Sequence, residues 1–117
     1  MKLNKNNAGL DAEHIAATFL QSKGLKLIAQ NYHCRFGEID LVMQDGKTLV
    51  FVEVRMRSNA RFGSAASSIT PQKQQKLILT AQHYLQQHGE QPCRFDAIAM
   101  TAAQPEQIEW ICNAFSA

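Results

Sequence analysis

The spacing of apolar positions divides the chain into seven elements. Ala12, Ala16, Phe19 and Leu20 recur at helical intervals through 10–23 and Gly24 follows, which predicts a helix with one buried stripe and a glycine stop. Leu25, Leu27 and Ala29 alternate with Lys26, Ile28 and Gln30, so 25–33 reads as a first strand. Residues 36–43 and 48–57 read as two more strands, joined through Gln44-Asp45-Gly46-Lys47, where Asp and Gly tolerate the positive φ of a hairpin turn. The small and polar stretch 58–69 reads as a loop. Thr70-Pro71 then supplies an N-cap and a proline for the first helical turn. That second helix buries Leu77, Ile78, Ala81, Tyr84 and Leu85 and stops before Gly89, and 93–100 and 107–111 read as two final strands. The order α-β-β-β-α-β-β predicts an α/β fold, a mixed sheet flanked by helices, in a single domain over 1–117 with a flexible polar extension at 1–8.

Composition narrows the class. With 45% hydrophobic and 19% charged residues, and only six glycines and three prolines, the disordered and collagen-like classes are excluded. No stretch approaches the roughly 20 apolar residues that cross a bilayer, and the polar N-terminus carries no apolar leader core. Cys34, Cys93 and Cys112 are odd in number and form no CxxC pair, which reads as reduced thiols packed as small apolar groups in a cytoplasmic protein. The four histidines have no acid or cysteine at zinc-ligand spacing, and Trp110 reads as a core or dimer contact.

The net charge of +2 hides an asymmetry. Between Glu53 and Glu90 the chain has no acid, but it has Arg55, Arg57, Arg61, Lys73 and Lys76, so this window carries +5 and the remainder −3. Such a surface suits a polyanion. An ordinary solvated face balanced by counter-ions remains the alternative.

The second and third strands place acids among strongly apolar neighbours. Alternation puts Phe36, Glu38, Asp40 and Val42 on one face, and Leu49, Phe51, Glu53, Arg55 and Arg57 on one face of the next strand. Closing the hairpin over Asp45-Gly46 sets Phe51 opposite Asp40 and Glu53 opposite Glu38, with Asp40 and Glu53 as diagonal neighbours roughly 7 Å apart. Clustered carboxylates in such strands repel, and each is costly to bury ionised. Three readings stay open: an ion network with Arg55 and Arg57, a wet sheet edge, or a divalent cation, for which hard carboxylate oxygens plus water are the ligands of choice. Glu13 lies at the edge of the first helix's apolar stripe and is placed to lean toward the sheet. Lys73 sits in a first helical turn, where the helix dipole disfavours a cation, which points to a nearby anion, either phosphate or a carboxylate.

A helix with Glu13, followed by Gly37-Glu38-Ile39-Asp40-Leu41-Val42 and Val50-Phe51-Val52-Glu53-Val54-Arg55, resembles the PD-(D/E)xK nuclease superfamily, with its restriction-endonuclease-like fold. Within it the chain resembles the YraN family of bacterial proteins over nearly its whole length, through Phe62-Gly63, Lys73, Ala81-Gln82-His83-Tyr84-Leu85 and Arg94-Phe95-Asp96. Archaeal Holliday-junction resolvases are similar in the same three acids. The resemblance implies that Asp40 and Glu53 hold Mg²⁺ or Mn²⁺, that Glu13 assists directly or through water, and that Arg55 stands where the superfamily usually has lysine. Arginine stays protonated, so Arg55 is no general base, although it can grip a phosphate. The expectation is therefore a nucleic-acid-binding, nuclease-like protein, with DNA favoured over RNA and a homodimer allowed. Its catalytic set is Glu13, Asp40, Glu53 and Arg55, and Arg57, Arg61, Lys73 and Lys76 contact backbone phosphates. A non-catalytic binding module of the same fold and a protein-interaction adaptor are the rival expectations.

Overall fold

The computed structural model describes residues 7–57, 69–101 and 108–117, with side chains over 12–56, 69–100 and 108–117. The expectations for 1–6, for the loop at 58–68, for Arg61 and for the side chain of Arg57 lie outside the described residues. The elements are α1 (Asn7–Ser22), β1 (Lys26–Cys34), β2 (Gly37–Asp45), β3 (Thr48–Arg57), α2 (Pro71–His88), β4 (Cys93–Thr101) and β5 (Glu109–Phe115), in the predicted α-β-β-β-α-β-β order. The last strand runs on to Phe115, past its predicted end. Among the described residues no helix is long and apolar enough to cross a membrane.

The five strands form one mixed sheet in sequence order. β1, β2 and β3 pair antiparallel, β3 and β4 run parallel, and β5 returns antiparallel to β4. A parallel pair needs a crossover, and α2 lies on that connection. Each helix covers one face. Ala12, Ala16, Ala17 and Leu20 of α1 pack on Leu41, Met43, Val50, Val52, Ile98 and Met100, the small alanines letting the helix lie close to the sheet. Leu77, Ala81, Tyr84 and Leu85 of α2 pack on Ile39, Val42, Leu49, Phe51, Phe95, Ala97 and Ala99. The central strands are thus buried on both sides, which is why β3 reads as a nearly continuous apolar run.

The β2–β3 register differs from the expected one by two residues. Asp45 pairs with Thr48 and Val42 with Phe51, so the turn is Gly46-Lys47. Gly46 has φ 61 and Lys47 does not share the positive φ, an arrangement in which glycine leads the two-residue turn. The ladder pairs residues only as far as Leu41 and Val52, although both strands continue.

A fully buried acid ties β5 to the sheet. Asp96, 1% exposed, accepts from Arg94 Nε at 3.1 and 3.3 Å, from Trp110 Nε1 at 3.0 Å and from the Asn113 N–H at 2.9 Å. Arg94 also pairs with Asp45 at 3.1 Å, and Trp110 packs edge-on to Phe19 of α1. Trp110 is therefore a structural residue of this layer. The three cysteines are free thiols as expected, but Cys93 and Cys112 are exposed rather than packed, because both lie at the ends or outer side of edge-proximal strands. Asp96→Ala leaves a guanidinium, an indole N–H and a backbone N–H without their acceptor; urea unfolding should show a loss of about 3 kcal/mol or more.

Candidate functional site

The acids converge where the β2–β3 pairing stops. Strict alternation fails there. Ile39 and Val42 both pack on the α2 side, while Leu41 and Met43 pack on the α1 side, so the inside-outside order slips by one across Asp40. β1 slips in step: Ala29 and Tyr32 both pack toward α2, and Asn31 between them holds φ 53. Neither Asn31 nor Asp40 appears in the regular ladder, whose pairs step from Gln30–Leu41 to Tyr32–Ile39. The expected face of Phe36, Glu38, Asp40 and Val42 is therefore corrected. Glu38 is exposed and opposite His33 on β1 rather than opposite Glu53, and Phe51 is opposite Val42 rather than Asp40.

The slip lets Asp40 work as a surrogate strand. Its Oδ2 accepts the Val54 N–H at 2.8 Å, in place of the ladder bond lost beyond Leu41. Its carboxyl also meets that of Glu13, which comes from α1, and Asn31 reaches Glu13 as well. Glu13 Oε1 is buried and has no hydrogen-bond partner. Glu53 comes in from the other side. It is 5% exposed, and its Oε2 lies 3.4 Å from Arg55 Nη1 and 3.5 Å from Lys73 Nζ. Behind it, Ile39, Phe51, Leu77 and Phe95 leave no room for a water.

Crowded acids in a dry setting hold protons. Burial raises Asp40 to about 6; the Val54 N–H opposes the rise, and the charges of Glu13 and Glu38 add to it. Burial likewise raises Glu13, and raises Glu53, where the Asp40 charge adds and Lys73 and Arg55 oppose. Glu13 and Asp40 therefore titrate as an interacting pair, each above its ordinary range.

Of the residues singled out in the sequence, Glu13, Asp40, Glu53, Arg55 and Lys73 come together. Lys73 stands against Glu53 with its side chain partly exposed, which accounts for a cation in a first helical turn: its own N–H bonds the Thr70 cap at 3.1 Å while its ammonium meets a carboxylate. Lys76 is exposed one turn further along α2. Asn31 escaped sequence reasoning; the only signal was an asparagine, which tolerates a left-handed backbone, inside a strand pattern. Among the described residues no three metal-ligating side chains close on one point. The donors nonetheless fit a hard cation that takes two carboxylates and completes its shell with water, and Glu13 Oε1 is a buried acceptor without a donor.

An acid whose folded pKa is raised destabilises the fold once pH exceeds its ordinary value. For Asp40 this cost grows from about pH 4 and is complete above about pH 6. Asn at 40 keeps an acceptor for Val54 and carries no charge. In metal-free buffer the stability of Asp40→Asn relative to wild type should therefore rise between pH 4 and pH 7.5, by at most about 3 kcal/mol. Thermal unfolding across that range checks it, and a pH-independent difference contradicts it.

Comparison with known proteins gives the same assignment across almost the entire chain. A UPF0102 protein of Methylobacillus flagellatus is 62% identical over 109 residues, covering 93% of this chain and 96% of that protein. One from Nitrosomonas europaea is 59% identical over 110 residues, with 93% of each covered, and one from Saccharophagus degradans is 54% identical over 114 residues, with 95% and 94% covered. The family profile described as "Uncharacterised protein family UPF0102" matches residues 12–100, a span that holds Glu13, Asp40, Glu53, Arg55 and Lys73, and the chain belongs to that family.

Proposed function

We propose that this protein is a divalent-metal-dependent nucleic-acid-binding protein that hydrolyses phosphodiester bonds, with DNA as its favoured substrate. The observation that carries the reading is the meeting of Glu13, Asp40 and Glu53 from three elements, with raised pKa values and one buried carboxylate oxygen left without a donor. Asp40 and Glu53 are the residues that hold Mg²⁺ or Mn²⁺. When bound, the cation supplies a water of lowered pKa and positive charge beside the phosphate. The chain's own groups do the rest. Glu13 accepts the proton of the attacking water, directly or through a second water. Arg55, always cationic, binds a phosphate oxygen and offsets charge as the new P–O bond forms and the bond to the leaving oxygen breaks. Asp40 is fixed by Val54 and Asn31 lies against Glu13, so both carboxylates are held in place before substrate arrives.

A second reading has its own support. Arg55 and Lys73 already lie against Glu53, as in a structural ion network, and that arrangement fits a binding module without catalysis. The two readings differ in metal linkage. A ligand bound only by the folded form at about ten times its Kd adds roughly 1.4 kcal/mol, or about 5 °C or more in a domain of this size. With Mn²⁺ the wild type should gain that much, and Asp40→Ala and Glu53→Ala should gain none. No gain in any of the three favours the ion network. Activity is read from branched, flapped and single-stranded DNA and RNA with Mn²⁺, using Glu53→Ala as the blank. Arg55→Lys should keep or raise cleavage; a large loss gives Arg55 a role that lysine cannot fill.

A further inference from the structure

A second concave surface lies further along α2. About 390 Å³ opens between α2 and the β1–β2 turn, lined by Arg35, Phe36, Leu79, Gln82, His83 and Gln86. The Arg35 guanidinium lies 4.8 Å over the Phe36 ring, and the His83 ring, whose Nδ1 is bonded to the Tyr32 hydroxyl, stands 6.5 Å from that ring. Gln82 and Gln86 are exposed and one turn apart, so their amides share the rim. Among the described residues no acid lines the cleft.

The cleft and the acidic site lie along the same helix, α2. Gly37 follows Phe36 in the turn, and a Cβ there would meet Thr80 Oγ1 at 3.2 Å and Lys76 Cβ at 3.6 Å, so the turn sits directly on α2. Lys73, Lys76 and His83 follow one stripe of the helix at spacings of three and seven residues. Ten residues of helix span ~15 Å, about four nucleotides at the duplex rise of ~3.4 Å and fewer in an extended strand. A cation stacked on an aromatic ring, side-chain amides and a basic path are the groups that capture a splayed base: π-faces for stacking, amides for the base edge, cations for the phosphates. In an intact duplex both faces of each base are covered by neighbours, so this chemistry selects an unpaired one.

We propose that the Arg35–Phe36–His83 cleft is a nucleotide subsite that takes an unpaired base, and so selects single-stranded or frayed nucleic acid. The proposal rests on the nucleic-acid reading above but needs no metal and no cleavage. The test is fluorescence anisotropy in EDTA at low salt, with a fluorescein-labelled 12-nucleotide single strand and the blunt 12-base-pair duplex of the same sequence. Wild type should bind the single strand at least ~10-fold more tightly than the duplex. Phe36→Leu, which keeps an apolar side chain but no π-face, should weaken single-strand binding ~5- to 100-fold and leave duplex binding nearly unchanged. Phe36→Tyr should retain it, and circular-dichroism melting of both variants separates lost stacking from lost folding. Single-strand binding by Phe36→Leu equal to wild type, an equal loss on both probes, or no binding of either probe by wild type overturns the subsite. The Mn²⁺ shift in melting temperature of Phe36→Leu keeps the two readings apart: a retained shift with unaltered binding sinks the subsite alone, while Phe36-dependent binding without any metal shift sinks the catalytic reading alone.

Discussion

Everything at the candidate site follows from Asp40 replacing a strand. Where the β2–β3 ladder ends, its carboxylate takes the Val54 N–H that a partner backbone carbonyl would otherwise accept. An unsatisfied N–H at that depth would cost a few kcal/mol, so the sheet needs an acceptor there. Using a carboxylate satisfies the amide but brings in charge, next to Glu53 and within reach of Glu13. The fold thereby creates a local demand for a proton or a cation.

The same sheet shows what a purely structural acid looks like. Asp96 is as deeply buried as any charged group among the described residues, and a guanidinium, an indole and a backbone amide all donate to it. Both of its oxygens are satisfied. At the other site, Glu53 has two cations at 3.4 and 3.5 Å, longer than strong charge-assisted bonds, and Glu13 keeps a buried oxygen with no donor. One acid is fully satisfied and the other cluster is not. That difference separates a staple from a site more cleanly than acidity or burial does.

Much of this was legible in the sequence, for identifiable reasons. The Thr70-Pro71 start and Gly89 stop of α2, the apolar stripes of both helices and the order of the strands are local patterns, and each element formed accordingly. The hairpin register slipped by two because Asp45-Gly46 and Gly46-Lys47 are both chemically acceptable turns, and only packing chooses between them. A slip of two preserves side-chain faces, so Phe51 and Glu53 still lie on the α2 side. The paired irregularity at Asn31 and Asp40 was not legible, because it depends on two strands and on Glu13 of α1 acting at once. Lys73 was legible as an anomaly: a cation at a helix start demanded an anion, and Glu53 supplies it.

The most direct measurement is a ¹³C NMR titration of the side-chain carboxyls, without metal and then with Mg²⁺. The account predicts that Asp40 titrates near about 6 in the metal-free protein, that Glu13 and Glu53 also titrate above their ordinary range, and that Mg²⁺ draws all three downward. An Asp40 that titrates near its ordinary 3.8 and ignores Mg²⁺ would contradict it, since the acids would then be neither crowded nor in want of a cation.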